Sequence, residues 1–348
     1  MTIKEFGWNQ YFENEYKLYN NGQFFPGRII SDYGHLVRVI TENGEILVQR
    51  PLSKGDETQL AVGDWIVLQN DEVNKNVRIV SVLARYSKFS RKASGNVVKE
   101  QIVAANVDTV FLMQSLNKNF NMKRLERYLI AAWESGAMPV VVLTKRDQAT
   151  DLENKLAQVA LTAPGVDIHA ISSLTGEGLD EIKKYIQPGK TVAFLGSSGV
   201  GKSTLANTLA GKEILKTQEI REDDSRGRHT TTHRELVLLP NGGMILDTPG
   251  MRTLFLWEAD KGMEMLFGDI EELVLQCRFR DCKHGSEPGC AVREALKNGN
   301  LEMSRWQSWQ KLQKELAFLE AKKEGKAKQK EKQWGKRIAK YQKELNNY

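Results

Sequence analysis

The chain has 348 residues, 41% hydrophobic and 27% charged, enough for about two or three domains with ordinary cores. No apolar run approaches the roughly 20 residues of a membrane span, and Met1 to Gln10 carries Glu5 and no apolar leader. Three cysteines cannot all pair with one another, which points to a reducing, cytoplasmic setting and a use other than disulfides. Charge is placed unevenly. Residues 321–348 hold ten of the 50 Lys/Arg and three of the 44 Asp/Glu, leaving 40 against 41 elsewhere. The pI of 9.0 therefore belongs to the tail.

Residues 1 to about 22 are polar and aromatic without a clear period. Short β-like runs follow at Gly27–Ile30, Leu36–Ile40, Glu45–Gln49, Trp65–Leu68 and Val77–Leu83, separated by turn signals such as Asn43-Gly44 and Gly63-Asp64. This predicts a small N-terminal barrel over 1–84, an OB-fold or an SH3-like one; such barrels often bind nucleic acid on one face. Residues 85–100 read as a linker in which Arg85, Tyr86, Lys88, Phe89, Arg91 and Lys92 interleave base and aromatic. That mix suits phosphate and base stacking; the preferred reading is a solvated connector whose aromatics pack on a neighbouring domain.

From Val107 strand and helix alternate. Strands are expected at Val107–Met113, Val140–Leu143, Ile168–Ile171, Thr191–Leu195, Glu235–Leu239 and Met244–Leu246. Leu125, Tyr128, Leu129, Ala132 and Trp133 mark one helix face, and further helices are expected over 152–161, 179–185 and 203–209. This is an α/β domain with mainly parallel strands over 101–260. A helical segment over 261–320 holds all the cysteines, and the Lys-rich tail occupies 321–348.

Gly196-Ser197-Ser198-Gly199-Val200-Gly201-Lys202-Ser203, followed by Thr204, fits the P-loop pattern between an expected strand and an expected helix. Its glycines let backbone N–H groups face phosphate oxygens at a helix start. Lys202 would reach the β/γ-phosphates and Ser203 would ligate Mg²⁺. Thr144-Lys145-Arg146-Asp147 ends one strand. A carboxylate at Asp147 accepts from guanine N1–H and the exocyclic amine, a donor pair adenine lacks, and Lys145 can lay its stem over the base. Ser172 and Ser173 end another strand, where backbone N–H groups can meet guanine O6. Asp247-Thr248-Pro249-Gly250 follows a third; Asp247 would hold Mg²⁺ through water, and the Gly250 N–H would sense the γ-phosphate. Between lies Gly227-Arg228-His229-Thr230-Thr231-Thr232, where a threonine, assigned to Thr231, closes on Mg²⁺. The base-reading segments precede the P-loop, so the domain is circularly permuted.

Met251 stands where Ras-like GTPases carry a water-orienting glutamine, so unassisted hydrolysis is expected to be slow. His229 is the internal candidate for catalysis, with Lys202 and Gly250; a docking contact is its other reading. Cys277-x4-Cys282-x-His284-x5-Cys290 offers three thiolates and one imidazole, a closed tetrahedral set for one structural Zn²⁺.

With its barrel, permuted motif order, RHTTT segment and Cys/His cluster, the chain resembles the ribosome small-subunit-dependent GTPase A family, also called RsgA or YjeQ, from about residue 25 to about 320. The resemblance implies an N-terminal OB-fold, a central GTPase and a zinc-bearing helical domain acting in late 30S maturation. The expected partners are the small ribosomal subunit, through 16S rRNA and 30S proteins, and GTP/GDP; no membrane partner is expected, and the chain is expected to be monomeric. The competing class is a zinc-stabilised rRNA-binding module in which GTP is mainly a structural ligand.

Overall fold

The computed structural model describes residues 2–19, 22–51, 59–71, 76–92, 100–215, 234–247, 259–318 and 321. The chain forms two compact units, Met1–Arg91 with Glu100–Gly262, and Lys92–Lys99 with Met263–Tyr348.

The first unit opens with a short helix, α1 (Gln10–Tyr16), in a stretch where the sequence shows no period. Asn9 caps it by accepting from the N–H groups of Tyr11 and Phe12, a contribution of about 1 kcal/mol. Its reason to exist is tertiary. Phe12 and Tyr16 bury against Trp65, Val67 and Leu83, closing one end of the barrel.

The barrel strands are β1 (Phe24–Asp32), β2 (Leu36–Thr41), β3 (Gly44–Gln49), β4 (Trp65–Asp71) and β5 (Asn76–Val82). β1 pairs with both β2 and β4, β2 with β3, and β4 with β5, all antiparallel. β3 lies beside β5, so the closed order is β1-β2-β3-β5-β4, the OB topology. Gly27 permits the tight curl of β1: a Cβ there would sit 2.5 Å from Val39 Cγ1 and 2.9 Å from Leu68 Cδ1.

The basic and aromatic connector is not an open strap. Strands β6 (Lys88–Lys92) and β7 (Glu100–Ala105) pair with each other. Arg85 is bonded to buried Asp64 (2.6 Å), Tyr86 lies 5.7 Å from Phe12, and Phe89 is buried. These aromatics serve packing and do not present their faces to a ligand.

The α/β layer follows as β8 (Thr109–Ser115), α2 (Met122–Ser135), β9 (Met138–Thr144), α3 (Leu152–Thr162), β10 (Asp167–Ala170), α4 (Leu179–Lys183), β11 (Thr191–Gly196), α5 (Lys202–Ala210), β12 (Arg234–Leu238) and β13 (Met244–Asp247). Sheet order is β10-β9-β8-β11-β13-β12, and only β12 runs antiparallel to its neighbour here. Val140, Val142, Val192 and Ile245 are fully buried in one core with Phe111, Phe194 and Leu205, the reason these strands read as continuous apolar runs. The central strand, β11, is visited after β8, β9 and β10, which is the permutation in physical form. β12 also pairs with barrel strand β1, at Ser31↔Glu235 and Asp32↔Arg234, so one sheet runs through barrel and α/β layer.

The second unit contains most of α6 (Asp260–Leu275), α7 (Ala291–Lys297) and α8 (303–318). α6 kinks at Phe267 (φ −125°), whose buried ring lies 5.1 Å beneath the Arg305 guanidinium. Arg305 also bonds Asp269 at 2.7 Å and the Leu266 carbonyl at 2.7 Å. Among the described residues no helix is long and apolar enough to cross a membrane.

Candidate active site and metal centre

β11 delivers the chain to the loop that begins at Gly196. A Cβ at Gly196 would meet Met113 O at 2.8 Å, so only glycine passes between the two strands there. Gly199 (φ +70°) and Gly201 (φ +101°) take left-handed backbone, which turns the loop back into α5. Gly201 precedes Lys202, the first residue of α5, and Ser203 and Thr204 lie in its first turn. The Lys202 ammonium donates to the carbonyls of Gly196 (2.7 Å) and Ser197 (2.6 Å). The loop thereby holds its cation over its own mouth, where an incoming phosphate can exchange with these carbonyls.

β9 and β10 bring the two segments expected to read a base to the same sheet edge. Thr144 is buried, and its Oγ1 donates to Val200 O in the phosphate loop at 2.6 Å, with Gln114 O at 3.3 Å. Lys145 has left-handed backbone (φ +61°) and starts a tight turn over Arg146–Gln148. Arg146 N–H donates to Ile171 O (3.0 Å), and its guanidinium pairs with Glu177 at 3.0 Å, tying this turn to the loop after β10. In that loop Ser172 is buried and its Oγ donates to Asp147 Oδ1 at 2.6 Å, so the carboxylate is oriented before any base arrives. Ser172 Oγ also accepts from the N–H groups of Leu174 (3.3 Å) and Thr175 (3.2 Å), which bends the Ser173 segment into a closed turn.

The sequence reading missed Asn119. Its amide donates to Ser197 Oγ at 3.1 Å, and its side chain accepts from Arg124 at 3.0 Å. The available signal was the asparagine-rich stretch 117–121 just after β8, at the same edge on which the phosphate loop begins. Asp247 closes β13 beside β11. His229, Thr231, Gly250 and Met251 lie outside the described residues, as does the tail from 322.

The Cys/His cluster lies in the second unit. Cys277 follows α6 and Cys290 caps α7, its Sγ accepting from the Arg293 N–H. Glu287 accepts from the N–H groups of Lys283 (3.1 Å) and Gly285 (2.7 Å), shaping the loop around His284, which has φ +59°. His284 Nδ1 lies 3.5 Å from the sulfurs of both Cys277 and Cys290, these two sulfurs are 3.9 Å apart, and all four ligand atoms fall within 4.8 Å of one another. A tetrahedral ion with bonds of about 2.3 Å to sulfur and about 2.0 Å to nitrogen requires S···S edges of about 3.8 Å and S···N edges of about 3.5 Å. The cluster fits a metal ion of that kind. Desolvation and the neighbouring thiols push Cys282 up to about 11. Desolvation also opposes ionisation of Cys277, but the N–H groups of Val292 and Ala291 together with the thiols of Cys290 and Cys282 outweigh it and lower that thiol. Crowded sulfurs of this kind ionise together readily only around a cation. Trp306 packs edge-on to His284 at 5.3 Å and stacks on Trp309 at 4.9 Å, buttressing the ligand ring.

Residues 82–257 match the family model described as RsgA GTPase. Over 324 residues the chain is 44% identical to the small ribosomal subunit biogenesis GTPase RsgA 1 of Listeria innocua, covering 91% of this chain and 90% of that protein. Over 303 residues it is 48% identical to RsgA 2 of Lactiplantibacillus plantarum, covering 86% and 85%. Among solved structures it is similar to YjeQ from Thermotoga maritima (TM-score 0.61, 28% identity, 84% of this chain and 99% of that one). It is also similar to YloQ, a circularly permuted GTPase (TM-score 0.59, 25% identity, 86% and 96%).

Proposed function

The chain belongs to the RsgA GTPase family, and from that premise we propose that it is a GTP hydrolase of small ribosomal subunit biogenesis, whose nucleotide state governs its attachment to the 30S subunit late in maturation. The observation that carries this reading is the pair of bonds from Thr144 to the phosphate loop and from Ser172 to Asp147. They join the permuted base-reading and phosphate-binding segments into one site with a fixed carboxylate, which matches guanine and rejects adenine.

The 196–204 loop cradles the phosphates with its N–H groups. Lys202 moves from loop carbonyls to the β/γ-phosphate oxygens as they arrive. Asp147 accepts from the guanine N1–H and amine, Lys145 covers the base, and Ser173 lends its N–H to O6. Ser203, Thr231 and Asp247 are the residues that would hold Mg²⁺, which when bound offsets phosphate charge. Gly250 senses the γ-phosphate, and His229 assists attack by water, giving GDP and phosphate. With Met251 in the usual glutamine position, the isolated enzyme is slow and the small subunit stimulates it; hydrolysis then releases the protein. Cys277, Cys282, His284 and Cys290 are the residues that would hold one structural Zn²⁺. The protein works in the cytoplasm as a monomer, contacting 16S rRNA and 30S proteins.

GTP turnover with and without isolated small subunits tests this. Small subunits should raise turnover at least about tenfold, a low bound against the 10³- to 10⁵-fold seen when partners complete other GTPase sites. The effect should weaken with salt as phosphate contacts release counterions, and large subunits should do far less. An unchanged rate at low salt, or equal stimulation by both subunits, would overturn it. Equal subunit affinity with GDP and with a non-hydrolysable GTP analogue would favour the structural-ligand module.

A further inference from the structure

Arg28 on β1 is fully buried, and its charge serves no step of nucleotide chemistry. Burial pulls its pKa down, and nearby Tyr86, Asp108 and Asp64 offset this only in part. The neighbouring carboxylates are committed elsewhere. Asp64 bonds Arg85 at 2.6 Å, and Asp108 bonds Lys190 at 2.8 Å and the Thr191 N–H at 2.8 Å. The guanidinium is satisfied instead by neutral acceptors drawn from distant parts of the chain. Nε donates to Gly63 O (3.2 Å). Nη1 donates to Phe6 O and approaches Met244 Sδ at 3.6 Å. Nη2 donates to Asn106 O and to Thr191 Oγ1, both at 3.0 Å. The Trp65 ring lies 5.5 Å away on one face.

These acceptors are not an arbitrary set. Phe6 belongs to the N-terminal segment, Gly63 to the barrel and Asn106 to the chain entering the α/β layer. Thr191 and Met244 are the first residues of β11 and β13, the strands that end at the phosphate loop and at Asp247. The planar fork fixes direction as well as distance, and the backbones at this joint leave no slack. A Cβ on Gly63 would fall 2.0 Å from Ala105 O, and one on Gly7 2.5 Å from Gly189 O. Near the C-terminal end of β1, Arg38 bonds both Ser31 (2.9 Å) and Glu235, across the β1–β12 ladder. β1 therefore runs alongside the nucleotide sheet, parallel to β13, and is pinned at its middle by Arg28 and at its C-terminal end by Arg38.

We propose that Arg28 is a positioning residue that bolts the barrel to β11 and β13, making β1 a working part of the GTPase, so that a load on the barrel reaches both strands feeding the nucleotide site. The coupling half of this rests on the reading that the small subunit stimulates turnover.

Removing Arg28 itself would strand its acceptors and risk the fold, so the test removes one acceptor. Thr191→Val keeps the shape and deletes Oγ1; Thr191→Ser keeps the hydroxyl. Two measurements on the full chain with its metal decide the matter: amide hydrogen exchange, and the ratio of subunit-stimulated to basal turnover. Thr191→Val should speed exchange in β1, around Asn106 and at the start of β11 by about tenfold, as loss of one well-made buried bond implies. It should leave basal turnover within about twofold and cut the stimulated-to-basal ratio at least about fivefold. Thr191→Ser should restore both. A purely structural Arg28 would speed exchange without moving the ratio, and that result overturns the coupling. Unchanged exchange overturns the bolt. If small subunits fail to stimulate the unsubstituted protein, the functional reading has failed; exchange alone then decides, a rise supporting the bolt and no change overturning it.

Discussion

The four residues of the Cys/His cluster come from the single stretch Cys277–Cys290, whereas the proposed nucleotide site gathers Thr144, Asp147, Ser172 and the 196–204 loop from three separate strand ends. The second arrangement exists because a buried sheet core holds those strand ends in place, with Val140, Val142, Val192 and Ile245 at its centre. On the proposed function its ligand would enter a site already built. The first arrangement has turns, the Cys290 cap of α7 and a pair of stacked tryptophans around it, and its crowded sulfurs call for a cation. On the proposed reading, ligand and fold are separable at one site and not at the other.

The largest effect should come from attacking that difference directly. Stripping the metal with a chelator, or Cys282→Ser, should abolish protection of 263–318 against proteolysis and hydrogen exchange. Structural zinc sites contribute on the order of 10 kcal/mol to such modules. GDP binding by the first unit should survive. A module that stays protected after metal analysis reads zero would break the comparison, as would loss of GDP binding in step with the metal.

Asp147→Asn comes next. It replaces a charged acceptor facing two guanine donors, interactions worth about 1.5–3 kcal/mol each, so GDP affinity should fall at least about tenfold on that figure. Xanthosine diphosphate, which presents a carbonyl where guanine has its amine, should gain on the variant relative to GDP. Wild-type protein binding ADP as tightly as GDP would remove Asp147 from the site. Ser172→Ala should act less strongly, since it leaves the carboxylate and removes only its 2.6 Å tether. A loss of about three- to tenfold in GDP affinity is expected for one hydrogen bond to a charged group in a solvated site. Equal affinity would mean that the carboxylate needs no help in finding its orientation.

The same contrast explains what could be read from sequence. Val140–Leu143 and Thr191–Leu195 announce themselves because strands buried on both faces are apolar throughout, and the cysteine spacing is legible because its ligands are near neighbours in the chain. Helix α1 was illegible: seven residues are too few to show a period, and what forms the helix is Trp65 across the barrel mouth. Arg28 looks like any basic residue on a short strand, and nothing nearby in the chain says that Thr191 and Met244 will receive it. Asn119 meets Ser197 only because β8 lies beside β11. Contacts made across the permutation have no local signature, since each partner is ordinary in its own segment.

Thr144 offers the finest probe, because it asks how the two halves of the permuted site hold each other. Its hydroxyl donates its proton to Val200 O at 2.6 Å. Thr144→Val preserves volume and β-branching but leaves that loop carbonyl without its donor in a buried place. A neutral hydrogen bond contributes about 0.5–1.5 kcal/mol net, so GDP should dissociate about two- to tenfold faster. Thr144→Ser keeps the donor and should hold nucleotide as wild type does, while losing stability from the deleted methyl, about 0.8 kcal/mol. The two variants thus separate the tether from the packing: the valine shows itself in nucleotide release, the serine in thermal unfolding. If the valine variant releases GDP at the wild-type rate, the phosphate loop is held by its own strand and helix, and the base-reading segment merely lies beside it.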